Sequence, residues 1–130
     1  MRAGRSANST AAVALYRLAA LTGETRYANH ADRILQLVGA VIDQAPSAFA
    51  NSLAAVALRE FGITEVVITG DRPDLLAVVR ERWRPDVVLA WGEPYDSPLW
   101  ADRTAGLAYV CHHFACQAPQ DTPEGLRDQL

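Results

Sequence analysis

Two short runs decide the fold: Glu65-Val66-Val67-Ile68-Thr69 and Asp86-Val87-Val88-Leu89-Ala90-Trp91. Each is a continuous apolar run rich in β-branched residues, not an alternating one. That is the pattern of strands covered on both faces. Between them, Pro73 to about Arg82 reads as a helix with proline in its first turn, where a missing N–H costs nothing. Strand, helix and strand in that order make a βαβ unit with a right-handed crossover. Downstream, Gly92 to Pro98 is a loop and Ala105 to Cys111 a third strand. Thr122-Pro123-Glu124 opens a C-terminal helix by a cap followed by proline.

Upstream of Glu65 the period changes from strand-like to helical. Ser9 or Thr10 caps a helix that runs to about Thr22 and stops at Gly23. A second helix begins at Thr25 or Arg26. Its Tyr27, Ala31, Ile34, Val38 and Val41 recur at helical spacing and share a face. Gln44-Ala45-Pro46 breaks it. Ser47 caps a third helix, with Phe49, Leu53 and Val56 on one face, ending before Gly62. The expected class is therefore α+α/β: three N-terminal helices, then a small three-stranded, mostly parallel sheet with flanking helices. The boundary falls near Phe61-Gly62, giving a helical segment 1–61 and an α/β segment 62–130. Each half is marginal for independent stability, so the two are expected to pack as one unit.

The 130-residue chain is 50% hydrophobic and 21% charged, with a net charge of -3. That is a globular balance, without the basic face of a nucleic-acid-binding protein. No apolar run approaches the roughly 18 residues that span a bilayer. The start, Met1-Arg2-Ala3-Gly4-Arg5, leads into an amphipathic segment and not into a signal-peptide core. All 12 basic residues are arginine, and alanine occurs 23 times. Both residues have GC-rich codons, which suggests a bacterial source. A cytoplasmic, reducing compartment is expected, with Cys111 and Cys116 as two thiols.

The segment richest in chemistry is Tyr109-Val110-Cys111-His112-His113-Phe114-Ala115-Cys116-Gln117. Two thiols and two imidazoles suit zinc in kind. The spacing does not, because neighbouring histidines on a strand point to opposite faces. A Cys111–Cys116 disulfide or redox pair requires a sharp turn between them. The plainest alternative is a pair of small packed side chains. Asp71 and Arg72 stand at the C-terminal end of a parallel strand, where open α/β sheets bind ligands. The plainer reading of Asp71 is as the cap of the helix that begins at Pro73, since the loop lacks the glycines that let a phosphate approach. Trp83, Trp91, Trp100 and Tyr95 could stack on a sugar or simply pack. His30 reads as a packed or surface histidine. No phosphate-binding glycine loop, catalytic triad or carboxylate pair is legible, so no cofactor is expected.

The ending Ala108-Tyr109-Val110-Cys111-His112-His113-Phe114-Ala115-Cys116-Gln117-Ala118-Pro119, followed by Thr122-Pro123-Glu124-Gly125-Leu126, resembles a family signature. It is similar to the C-terminus of thioredoxin domain-containing proteins of the spermatogenesis-associated protein 20 type. Ser6-Ala7-Asn8-Ser9-Thr10-Ala11-Ala12 resembles that family's S-G-N-S-x-A-A helix start. Leu21-Thr22-Gly23-Glu24-Thr25-Arg26-Tyr27 resembles its L-T-G-D-x-x-Y turn, and Val66-Val67-Ile68-Thr69-Gly70 its V-V-I-V-G strand. The matches run in order over nearly the whole chain.

The resemblance implies a larger parent, with a thioredoxin-like domain and an α/α toroid akin to sugar epimerases and six-hairpin glycosidases. This chain would supply the last toroid helices and the C-terminal α/β portion, without a C-x-x-C site. Ala7 replaces the family's usual glycine, which matters if that position needs a positive φ. Toroid geometry implies that Asn8 and Ser9 line a cavity, whereas the residues themselves suggest capping. The expected function is a non-catalytic C-terminal region or truncated relative of such a protein. The rivals are part of a carbohydrate-active toroid with a sugar ligand, and a small redox or metal module on Cys111 and Cys116. Expected partners are the missing toroid and thioredoxin-like parts, or a second copy meeting Leu15, Leu18 and Leu21 or Phe49, Leu53 and Val56. No nucleic-acid or membrane partner is expected.

Overall fold

A computed structural model describes residues 7–41, 43–44 and 46–130. Ser6 and the side chain of Phe49, both singled out above, lie outside the described residues. The described residues form a mixed α+β chain with five helices and a four-stranded sheet. It divides into two units. One holds the described residues up to Ala19 together with Glu24–Gly62, and the other holds Ala20–Gly23 and Ile63–Leu130.

The first unit contains most of α1 (Ala7–Thr22), with α2 (Thr25–Ala40) and α3 (Pro46–Phe61). Each helix buries one stripe: Ser9, Ala12 and Tyr16; Ala31, Leu35 and Val38; Ser52, Ala55 and Leu58. The three-to-four-residue spacing keeps each set on one side of its helix. Ala12, Ala31 and Ala55 are fully buried, and their small side chains let backbones approach closely. The hydroxyls of Ser9 and Ser52 lie 2.9 Å apart within this layer, and Tyr16 donates to Asp32 at 2.5 Å. Two expectations shift by a turn. Helix α1 already runs from Ala7, so Ser9 and Thr10 are helical residues and not caps. The buried stripe of α3 is Ser52-Ala55-Leu58, which leaves Leu53 exposed.

In the second unit, β1 (Thr64–Ile68) and β2 (Val87–Trp91) pair in parallel, linked through α4 (Pro73–Arg80). This is the βαβ unit read from the two apolar runs. Strand β3 (Ala108–His112) lies on the other side of β1, antiparallel, and β4 (Ala115–Cys116) follows it as a hairpin. The sheet order is β2-β1-β3-β4. The expected three-stranded, mostly parallel sheet is corrected to four strands with one parallel pair and two antiparallel ones. The reason lies in the β2–β3 connection, which carries only a 3-10 turn, Pro98–Trp100. A parallel return needs a crossover along the whole sheet, usually a helix. An antiparallel strand starts where β2 ends.

Both sheet faces are covered. Val66, Ile68, Val87, Ala108 and Val110 pack under Leu75 and Val78 of α4 and Leu126 of α5 (Pro123–Gln129). On the other face, Val67, Ala90, Tyr109 and Cys111 pack with Leu99 and with Leu21 from the last turn of α1. That turn ends at Gly23, where φ is 74° and an added Cβ would stand 2.8 Å from the Pro98 ring. Glycine is required there by both conformation and space. Ser97 and Tyr95 donate to the Leu21 carbonyl, occupying an end-of-helix acceptor.

Candidate functional site

The two cysteines meet at the β3–β4 hairpin. His112 pairs with Ala115 and Cys111 with Cys116, so the turn between the strands is only His113-Phe114. Their φ angles are 49° and 63°, both left-handed. Two-residue hairpins favour this mirror-image turn because its twist matches the strands. Asparagine and glycine normally fill it; histidine and phenylalanine each cost about 1 kcal/mol or more there.

The turn sets Cys111 directly opposite Cys116, with Cα atoms 3.9 Å apart, and the two form a disulfide. The expectation of two free thiols is corrected on this point: direct cross-strand pairing brings the sulfurs into bonding range. Among the described residues no cluster of three or more histidine, cysteine, aspartate or glutamate side chains is placed to hold a metal ion. The rings of His112 and His113 pack edge to face, 4.5 Å apart.

The sulfurs are unequal. Cys111 is buried on the inner face of β3, whereas Cys116 is exposed on the two-residue edge strand. Arg103 reaches both, its Nη2 lying 3.2 Å from Cys116 Sγ and 3.8 Å from Cys111 Sγ. The surrounding loop fixes that reach. Arg103 Nε donates to the Leu99 carbonyl at 2.6 Å, and its guanidinium lies 4.4 Å from the centre of the Tyr109 ring. The Tyr109 hydroxyl accepts from the Thr104 N–H at 2.9 Å. The Thr69 hydroxyl donates to the Thr104 carbonyl at 2.6 Å and accepts the Leu107 N–H at 3.0 Å. A cation held in this way interacts weakly with a neutral disulfide and strongly with a thiolate.

Beneath the hairpin, on β1, lies Glu65. It pairs directly with Cys111 across the β1–β3 ladder and is 2% exposed. Burial pushes its carboxyl above the ordinary 4.5, while hydrogen bonds from its own and the Phe114 N–H groups, and the nearby His113, pull the other way. Neither Arg103 nor Glu65 was singled out from the sequence. Glu65 had a visible signal, an acid opening a strand buried on both faces. Arg103 had none, because only the fold of the 101–107 loop brings it to the cysteines.

The other candidates lie elsewhere. Asn8 is exposed in the first turn of α1, and Ser9 is buried against Ser52. Asp71 is exposed and does not cap α4. The cap position belongs to Arg72, next to Pro73, and the Arg72 side chain, being a donor, makes no cap bond. Arg72 instead clamps three segments, donating to Asp74, to the Gly106 carbonyl at 2.6 Å and to the Asp121 carbonyl at 2.7 Å. Its hydrogen bond holds the Asp74 carboxyl below the usual range. All three guanidinium nitrogens are thus engaged within the protein. Of the four aromatics considered for a sugar platform, Tyr95 and Trp100 meet edge to face, 5.8 Å apart. Arg80 sits 5.6 Å over Trp91, and Trp83 is 88% exposed. His30 is an exposed helix residue. Among the described residues no helix is long and apolar enough to cross a membrane. Comparison of the chain with family models, with curated proteins and with solved structures finds no match.

Proposed function

We propose that the second unit is a thiol–disulfide exchange module working through Cys111 and Cys116. The observation that carries this reading is the Arg103 guanidinium, fixed 3.2 Å from the exposed sulfur. The reduced form of an exchanging disulfide exposes a thiolate, which a prepositioned cation stabilises. Accessibility sets the order of events. An incoming thiolate reaches Cys116 and Cys111 leaves; in the reverse direction Cys116 attacks and Cys111 resolves. A cytoplasmic setting, expected from the sequence, fits the same reading, since disulfides that form there are usually transient and catalytic or redox-sensing.

Equilibration of the purified chain in glutathione redox buffers, followed by thiol trapping and mass analysis, tests the proposal. A reversible transition of one disulfide within the range of those buffers is expected. A pair that never oxidises, or that stays oxidised throughout, overturns it.

A second reading applies to the helical unit. Leu37, Leu53 and Phe61 are 67%, 51% and 82% exposed there. Together with the resemblance to the C-terminal region of the thioredoxin domain-containing family, this supports a non-catalytic piece of an α/α toroid wall. Its apolar side chains would be covered by further helices of a parent protein or of a second copy. Sedimentation across a wide concentration range tests it, with self-association expected and a strict monomer counting against the second-copy form. Sugar-dependent stabilisation would favour a carbohydrate-active part using Asn8 instead.

A further inference from the structure

Glu65 is the only carboxylate in the buried core among the described residues. One of its oxygens, Oε2, is buried and has no hydrogen-bond partner among them. A buried carboxyl with one oxygen left unsatisfied is costly, so its retention needs a reason. Its position supplies one. Glu65 and Cys111 face each other in the antiparallel ladder, so both side chains leave the sheet on the same face. Directly opposed residues hold their Cβ atoms about 4.5–5.5 Å apart. The β2 residue paired with Glu65 is the apolar Val88. The charged or titratable groups facing this corner are His113 from the turn and Arg103 from the 101–107 loop, with the Tyr109 hydroxyl tied to Thr104.

We propose that Glu65 is the proton donor and acceptor for the Cys111 sulfur. The inference rests on the exchange reading above and assigns the step that reading leaves open. A thiolate of an external dithiol attacks Cys116 Sγ, and the S–S electron pair departs on Cys111 Sγ. The leaving sulfur is shut off from water and lies farther from Arg103 than Cys116 does, 3.8 Å against 3.2 Å, so the Glu65 carboxyl passes it a proton and becomes a carboxylate. The second thiolate of the dithiol then attacks its own sulfur in the mixed disulfide. Cys116 is released as a thiolate beside Arg103. The dithiol ends as a cyclic disulfide, its two electrons now on the cysteines. Of its two protons, one restores Glu65 and the other stays in solvent while Cys116 remains ionised. In the oxidising direction the Glu65 carboxylate takes the Cys111 proton before that sulfur resolves.

The test is the pH dependence of disulfide reduction by dithiothreitol in the unsubstituted chain and in Glu65→Gln, with glutathione equilibration of both. Glutamine keeps the size and an acceptor for the Phe114 N–H but carries no transferable proton. The expected result is reversible equilibration of both chains, with a rate about a hundredfold or more lower in Glu65→Gln. One inflection should also vanish from its pH profile. Superimposable profiles overturn the role of Glu65 and leave the exchange reading standing. Failure of the unsubstituted chain to equilibrate overturns both. Oxidised-minus-reduced infrared spectra of the unsubstituted chain provide a readout independent of whether Glu65→Gln folds. Glu65 is protonated in both end states, so a protonated carboxyl band that shifts as its neighbour Cys111 turns from disulfide to thiol is expected, and a spectrum with no carboxyl change overturns the proposal.

Discussion

Replacing Arg103 by methionine keeps much of the alkyl stem over Tyr109 and removes the cation 3.2 Å from Cys116 Sγ. The variant also loses the bond to the Leu99 carbonyl, which destabilises the loop in both redox states. A reduction potential measures only the difference between those states, so the common loss cancels. What remains is the thiolate interaction. Charged hydrogen bonds contribute about 1.5–3 kcal/mol, and about 2 kcal/mol suits an exposed sulfur. That favours the ionised form of the exposed thiol over the protonated one. Where the thiol is largely protonated the reduced state gains little; where it is fully ionised it gains the whole, about 2 kcal/mol or about 43 mV for a two-electron couple. The sign is fixed. Arg103→Met is harder to reduce, so its potential is more negative, and the gap widens with pH. Redox titrations of both proteins at pH 7, 8 and 9 measure it. Coincident potentials at pH 9, or a more positive variant, would refute the reasoning.

Three further outcomes are expected. Burial raises the Glu65 carboxyl, so the folded state holds that proton more tightly than the unfolded chain. The oxidised protein should therefore lose stability as pH rises above about 4.5 toward the folded value, and Glu65→Gln should lack that component in urea melts across the range. Leu126 is fully buried between α5 and the sheet, so Leu126→Ala should cost about 2–5 kcal/mol, read as a lower urea midpoint. Tyr16 is buried, with its hydroxyl on Asp32 and its ionisation pushed upward chiefly by burial; Tyr16→Phe should cost about 1–2 kcal/mol in thermal unfolding of the helical unit.

The βαβ unit was legible because both strands are buried on two faces and so read as apolar runs, and because Pro73 marks the helix start. Gly23 announced the end of α1 for a similarly local reason. Strand direction was not legible. Whether β3 runs parallel or antiparallel depends on the path of residues 92–107, and that path is set by bonds such as Thr69 to Thr104 and Leu107 that join distant segments. The hairpin was hidden because its turn residues are histidine and phenylalanine, not the asparagine and glycine that advertise one. Ala7 illustrates the converse: it stands where glycine was expected by resemblance, yet it is a residue of α1.

The register explains why the site could not be read as a motif. Cys111, Glu65 and Arg103 come from β3, β1 and a loop, and they meet only because Glu65 pairs with Cys111 and not with its neighbours. A slip of β1 by one residue would turn Glu65 to the face covered by α4 and α5, away from Cys111 and Arg103. In the observed register the two sulfurs occupy opposite environments. The exposed one faces a fixed cation that favours the thiolate; the buried one faces a carboxyl that favours the protonated thiol. On the exchange reading, that inequality gives the two sulfurs separate roles, the exposed one attacking as a thiolate and the buried one leaving as a thiol.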